Sequence, residues 1–255
     1  MRILIISDIH ANLVALETVL ATAGHNYHRL WCLGDTIGYG PRPNECANLI
    51  RERANEAISG NHDLACIGDP LADLDYFNHD ARRANEWNGK QLTEANREWL
   101  RSLTPKRVMQ LDGLGPVMLA HGSPRDPIWE YLLSEQDALE NFHDTDFTQQ
   151  LCFIGHSHVP IYYRLVLDEF AEMTLPTRQN NQNVLEIKPH ERYIINPGSV
   201  GQPRDQDPRA AYAIFDTDAL TVTFHRVEYD IGTTQDQMRL ANLPRSLVQR
   251  LDFGI

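Results

Sequence analysis

Five short apolar runs in this chain each stop at a polar cluster. "RILII" runs into "SDIH", "LWCL" into "GD", "EAIS" into "GNHD", "VMLA" into "HG" and "LCFI" into "GHSH". Runs of this length and composition read as buried strands. Helical patterns lie between the early ones, and strand–helix–strand alternation argues for an α/β sheet with parallel pairs. Strands of a parallel sheet bring their C-terminal ends to one edge, where such folds place ligands. Asp8, His10, Asp35, Asn61, His121, His156 and His158 are therefore expected to converge, although they span some 150 positions.

Outside these runs the pattern is plainer. Asn12 is placed to cap a helix that runs to about Ala23, with Leu13, Leu16, Val19 and Leu20 on one face. Asn44–Ala54 reads as a helix after Pro41 and Pro43, and 66–106 as mainly helical and polar, with Trp87 and Trp99 as packing anchors. Glu135–Phe142 and 233–251 also read as helical. Pro160–Val166, "RYIIN", "AAYAIFD" and "LTVTFHRVEYD" read as further strands, and 168–192 as an irregular excursion or hairpin. No repeat or linker divides the chain, so 1–255 is expected to form a single domain.

Composition narrows the function. No window is apolar for the ~18 residues of a membrane span, and "MRILIISDIH" is interrupted by Asp8 before any cleavage-site pattern. Cys32, Cys46, Cys66 and Cys152 are scattered without a CxxC pair, which fits a reducing cytoplasm. With 35 acidic against 23 basic residues, a net charge of −12 disfavours general nucleic-acid binding. Oligomeric state is not legible.

The convergent set holds two Asp, one Asn and four His. It has too many imidazoles for magnesium and no thiolate for a structural zinc site. Mn, Fe, Zn, Ni or Co suits it. Seven donors exceed what one ordinary ion takes, so two ions sharing a carboxylate fit better. Asp8/His10 and His156/His158 repeat an i, i+2 spacing, and Asp35, alone after a glycine, is suited to bridging.

D-x-H, G-D, G-N-H-D, H-G and G-H-x-H, in this order, resemble the calcineurin-like metallophosphoesterase family. "DTIGYGPRPNE" and "INPGSVGQPRD" resemble its small bacterial and archaeal branch of phosphodiesterases and dinucleoside-tetraphosphatase-like enzymes. The resemblance implies a four-layer α/β sandwich, two packed mixed β-sheets flanked by helices. It implies one metal on Asp8, His10, Asp35 and His158, and a second on Asp35, Asn61, His121 and His156. His62 would face the substrate phosphate without binding metal, and Asp63 would orient or tune His62. The implied activity is hydrolysis of phosphate esters, phosphodiesters or nucleotide-like molecules, by a hydroxide bridging two divalent ions.

Dinucleoside polyphosphate hydrolase and protein phosphatase are the alternatives within the enzyme class. A non-catalytic metal-binding scaffold of the same fold is the alternative outside it; His62 and every ligand position are present, which argues against that scaffold. Asn12, Tyr39, Ser199 and Arg204 are candidate substrate contacts, and 66–90 and 165–190 candidate pocket walls. The six remaining histidines fit no motif, and the tryptophans read as core.

Overall fold

The computed structural model describes residues 1–176 and 183–255. It opens with β1 (Arg2–Ile6), α1 (Leu13–Ala23), β2 (Arg29–Cys32), α2 (Pro43–Arg53) and β3 (Glu56–Ala57). Helices α3 (Asn61–Ile67), α4 (His79–Gln91) and α5 (Glu94–Arg101) follow. Next come β4 (Lys106–Leu111), β5 (Gly115–Ala120), α6 (Glu135–Phe142) and β6 (Leu151–Phe153). The rest is β7 (Pro160–Val166), β8 (Phe170–Thr174), β9 (Val184–Glu186), β10 (Arg192–Pro197), β11 (Ala210–Asp216), β12 (Thr221–Val227), α7 (Ile231–Leu240) and α8 (Arg245–Gln249).

The strands form two six-stranded mixed sheets, ordered β3-β2-β1-β11-β12-β9 and β4-β5-β6-β10-β7-β8. In the first, β1, β2 and β3 are parallel; in the second, β5, β6 and β10 are. The period-2 alternation of β1 shows how the layers form. Ile3 and Ile5 enter the core between the sheets with Trp31, Val117, Leu119, Phe153, Tyr193 and Ile195. Leu4 and Ile6 point the other way, onto Leu16 and Val19 of α1 and Ile50 of α2. The second sheet repeats the arrangement, with Cys152, Ile154 and Ile194 under Ala138 and Phe142 of α6. Each fully buried Ile, Leu or Phe contributes roughly 1.5–3 kcal/mol. The result is the expected α/β sandwich of two packed sheets flanked by helices.

Several local readings need correction. "GNHD" is the first turn of a helix: β3 ends at Ala57 and α3 begins at Asn61. Strand β4 begins at the last residue of the segment read as helical, and half of its residues are exposed, as befits an edge strand. Pro244 interrupts the helix expected over 233–251, separating α7 from α8. In 168–192, β8 does form a hairpin with β7, but β9 crosses to the other sheet. Residues 177–182 of that segment lie outside the described ones. Trp87 and Trp99 pack as expected, and Trp31 is wholly buried.

Candidate metal centre

The functional side chains leave the strand ends on unusual backbone. Asp8, His10, Asp35, His156 and His158 all have φ between +50° and +65°, a region costly for residues with a Cβ and found where surrounding structure enforces it. The i, i+2 pairs therefore converge through left-handed turns rather than along extended strands. Backbone bonds hold those turns: Asp8 N–H to Gly34 O (3.1 Å), His10 N–H to Asp35 O (2.9 Å) and Gly155 N–H to His121 O (2.8 Å). Gly60 is needed for contact, since a Cβ there would lie 2.1 Å from Asp35 Oδ1.

Two groups of donor atoms result, each within 4.8 Å of one another: Asp8, His10, Asp35 and His158, and Asp35, His121 and His156. All six residues are buried. Asn61 joins the second group, its Oδ1 lying 3.1 Å from His121 Nε2. The carboxylate of Asp35 belongs to both groups and is divided in function. Oδ1 accepts the His62 N–H at 2.9 Å. Oδ2 faces His121 Nε2 at 3.3 Å and His10 Nε2 at 3.7 Å.

Backbone carbonyls fix the imidazoles. His10 Nδ1 meets Ile37 O (3.3 Å), His121 Nδ1 meets Leu33 O (2.8 Å) and His158 Nδ1 meets Gln202 O (2.5 Å). A carbonyl only accepts, so each Nδ1 carries a hydrogen and each Nε2 turns inward. His156 is the reverse, with Nε2 on Trp129 O at 3.3 Å and Nδ1 left for the interior. Histidine ligands whose outer nitrogen is held in this way are the usual arrangement at a metal.

Electrostatics point the same way. Burial pushes Asp8 up to about 7, reinforced by Asp35. Burial also holds His10, His156 and His158 well below their ordinary value, so they are neutral and ligand-competent. Burial opposes a proton on His121, but the Asp35 and Asp8 carboxylates outweigh it and hold that ring up at about 9. Without a cation, a proton on His121 supplies the positive charge the carboxylates require. The Asp35 carboxylate shared by the two groups, the imidazole nitrogens turned inward and this charge demand all fit divalent metal ions.

His62 is buried beside this cluster, its ring 4.9 Å from His10 and 4.3 Å from Tyr39. Asp63 does not orient it. The Asp63 carboxylate accepts backbone N–H groups from Gly60 (3.0 Å), Thr36 (3.2 Å) and Ile37 (3.0 Å), closing the first turn of α3 onto the Asp35 loop. The partner of His62 is Asn85 of α4, whose Oδ1 lies 2.7 Å from Nδ1. Burial lowers His62 to about 4.

The expected substrate contacts divide. Asn12 is saturated: Oδ1 takes Ala15 N–H and the Thr234 hydroxyl, and Nδ2 donates to Gly201 O and the Tyr229 hydroxyl. Ser199 is likewise engaged in the fold, donating to Asp8 O and accepting from Gln202 N–H. Both are structural. Tyr39 and Arg204 do reach the cluster. Tyr39 lies 4.7 Å from the His10 ring, and Arg204 Nη2 bonds its hydroxyl at 3.3 Å and Gln202 Oε1 at 2.9 Å. The buried Arg204 Nε has no partner. Arg250 adds a second cation, lowered to about 10 by burial and by Arg204.

Sequence reasoning missed Asn85, Phe77, Trp129, Tyr131 and Arg250. Phe77 packs on His62 (4.8 Å) and Tyr131 stacks on His156 (3.9 Å). Only the guess that 66–90 forms a wall pointed toward any of them. The described part of 165–190 lies elsewhere: Glu172, Thr174 and Val184 line a groove with Tyr162 at the sheet edges. Histidines outside the motifs have ordinary roles, such as His225 stacked on Tyr212 and His28 accepting Arg2 N–H.

The calcineurin-like phosphoesterase superfamily domain matches residues 1–220. An uncharacterised protein of Methanocaldococcus jannaschii, MJ0912, is 37% identical over 99% of this chain and 98% of its own length. Among solved structures, a metallophosphoesterase from Sphaerobacter thermophilus is 52% identical, with a TM-score of 0.85 over 100% of this chain and 99% of that one. The hypothetical protein PH1004 from Pyrococcus horikoshii shares the fold at 19% identity, with a TM-score of 0.74 over 100% and 98% of the two chains.

Proposed function

The chain belongs to the calcineurin-like phosphoesterase superfamily, and on that premise we propose that it is a dinuclear metal-dependent hydrolase of phosphate esters, with phosphodiesters or nucleotide-like molecules as substrates. One observation carries the reading: two buried donor groups share the single carboxylate of Asp35. Asp8, His10, Asp35 and His158 would hold one divalent ion, and Asp35, Asn61, His121 and His156 the other. Bound there, the pair would offset charge on phosphoryl oxygens and make water a competent nucleophile near neutral pH.

The protein's own groups bind, orient and move protons. Arg204, with its unpartnered Nε, and the nearby Arg250 supply local positive charge in a protein of net charge −12. They give an anionic ester a place that the overall charge does not. His62 holds its hydrogen at Nδ1 on Asn85 and presents Nε2 to the site. To protonate a leaving alkoxide it must first take up a proton there, and a phosphate anion alongside favours that uptake.

The test is hydrolysis of bis-p-nitrophenyl phosphate with Mn²⁺, Fe²⁺, Zn²⁺, Ni²⁺ or Co²⁺, with metal content measured on the same preparation. Metal-dependent turnover with two ions per chain is expected. No hydrolysis with any of these ions would favour a non-catalytic scaffold.

A further inference from the structure

Beside the donor cluster runs a line of aromatic rings that the metal chemistry does not use. Phe77 touches His62 at 4.8 Å, Trp129 touches Phe77 at 5.2 Å, and Tyr76 touches Trp129 at 5.5 Å. The line thus leaves the reacting centre in steps of about one ring and ends at the surface, where Tyr76 is 76% exposed. Tyr131 lies against His156 at 3.9 Å and is 44% exposed. The loop that carries Trp129 and Tyr131 is tied to the centre, since Trp129 O receives His156 Nε2 at 3.3 Å. Trp129 is itself fixed, its Nε1–H donating to Leu71 O at 3.1 Å.

Packing does not explain this arrangement. The large core aromatics, such as Trp31, Phe153 and Phe215, are wholly buried, whereas Tyr131 beside His156 and Tyr76 at the outer end of the line leave much of their area in water. Rigid aromatic rings lose little conformational freedom on binding a flat partner, and a nucleobase stacks on them with little regard to its identity. Resting on the phosphoesterase reading, we infer that Tyr76, Trp129 and Tyr131 form a base-stacking subsite, which makes the substrate class nucleotide esters. The phosphate lies toward Arg204 and the donor cluster, and the base lies along the ring line. A net charge of −12 disfavours a long nucleic-acid strand as the occupant and favours a small nucleotide ester.

The test uses the metal-loaded protein and two esters with one leaving group, thymidine 5′-p-nitrophenyl phosphate and methyl p-nitrophenyl phosphate. Calorimetric titration with adenosine 5′-monophosphate and ribose 5-phosphate gives a readout independent of turnover. The nucleoside ester is expected to have a kcat/KM higher by about tenfold, and the base-bearing phosphate to bind tighter by about the same factor. Tyr76→Ala, at a position too exposed to threaten the fold, should reduce both ratios, and adding Trp129→Leu should bring them below about threefold. Equal values for the members of each pair in the unaltered protein, or ratios that survive both substitutions, would overturn the subsite. If neither ester is cleaved with any metal, the phosphoesterase reading fails instead, and the two affinities still decide whether the rings hold a base.

Discussion

His62 Nδ1 lies 2.7 Å from the side-chain oxygen of Asn85, and both residues are buried. The bond assigns the hydrogen to Nδ1 and aims Nε2 at the site. His62→Ala is expected to cut turnover by ~10²–10⁴ while metal content stays at two. Asn85→Leu removes the acceptor and leaves a smaller loss, of about tenfold, which Asn85→Asp largely restores because a carboxylate also accepts from Nδ1. Turnover and metal analysis on the same samples check this. Metal loss on His62→Ala would show that the ring is a ligand.

Asp35 is common to both donor groups, and its Oδ2 faces an imidazole from each. Asp35→Ala should therefore remove both ions together. His158→Ala touches only the first group and should leave one ion per chain. Elemental analysis after equilibration with Mn²⁺ distinguishes the two. Equal stoichiometry in the two variants would contradict a shared carboxylate.

The strand ends that carry the site are legible in the sequence, but their division between two sheets is not: β1, β2 and β3 belong to one sheet and β5 and β6 to the other. Both faces of β1 are apolar, Ile3 and Ile5 on one and Leu4 and Ile6 on the other, which marks a strand buried on two sides, and each apolar run stops where chemistry begins. Asp63 and Asn85 show where such reading fails. The family resemblance implied that Asp63 serves His62, but the helical turn sends the carboxylate toward three backbone amides. Asn85 reaches His62 only because α4 packs on α3, a contact that no local pattern announces. The exposed edge strand β4 was illegible for a related reason, since its place is set by pairing with β5 and not by its own hydrophobicity.

The metal-free protein should lose stability as pH rises from 7 to 9. His121 is held up at about 9 in the folded state against an ordinary 6.5. Its contribution is whole below pH 6.5 and disappears as pH passes through about 9. Asp8 and Asp63, both raised to about 7 mainly by burial, lose their contributions as pH rises from about 4 through about 7, so they add to the fall only at the lower edge of the window. His10, His156 and His158 are already neutral throughout this window. Tm of the chelator-treated protein should fall across the window, and His121→Gln should flatten the slope. Metal affinity should rise over the same range, because the ion displaces the His121 proton. A Tm independent of pH between 7 and 9 would remove the proton from His121.

Arg204 and Asn12 lie near one another in the fold but should behave oppositely. Arg204 keeps a buried Nε without a partner, and among the described residues no carboxylate pairs with it. A charge-assisted bond to phosphate is worth ~1.5–3 kcal/mol, so Arg204→Ala should raise KM for a phosphodiester by roughly tenfold or more while metal content is unchanged. Asn12 instead caps α1 and ties it to Gly201, Tyr229 and Thr234. Asn12→Ala should cost at least ~1 kcal/mol of stability, from the cap alone, a fall of about 2–4 °C in Tm, with KM within twofold of the parent. Steady-state kinetics and thermal melts on both variants check the pair. A raised KM in Asn12→Ala without a change in Tm would return Asn12 to the substrate.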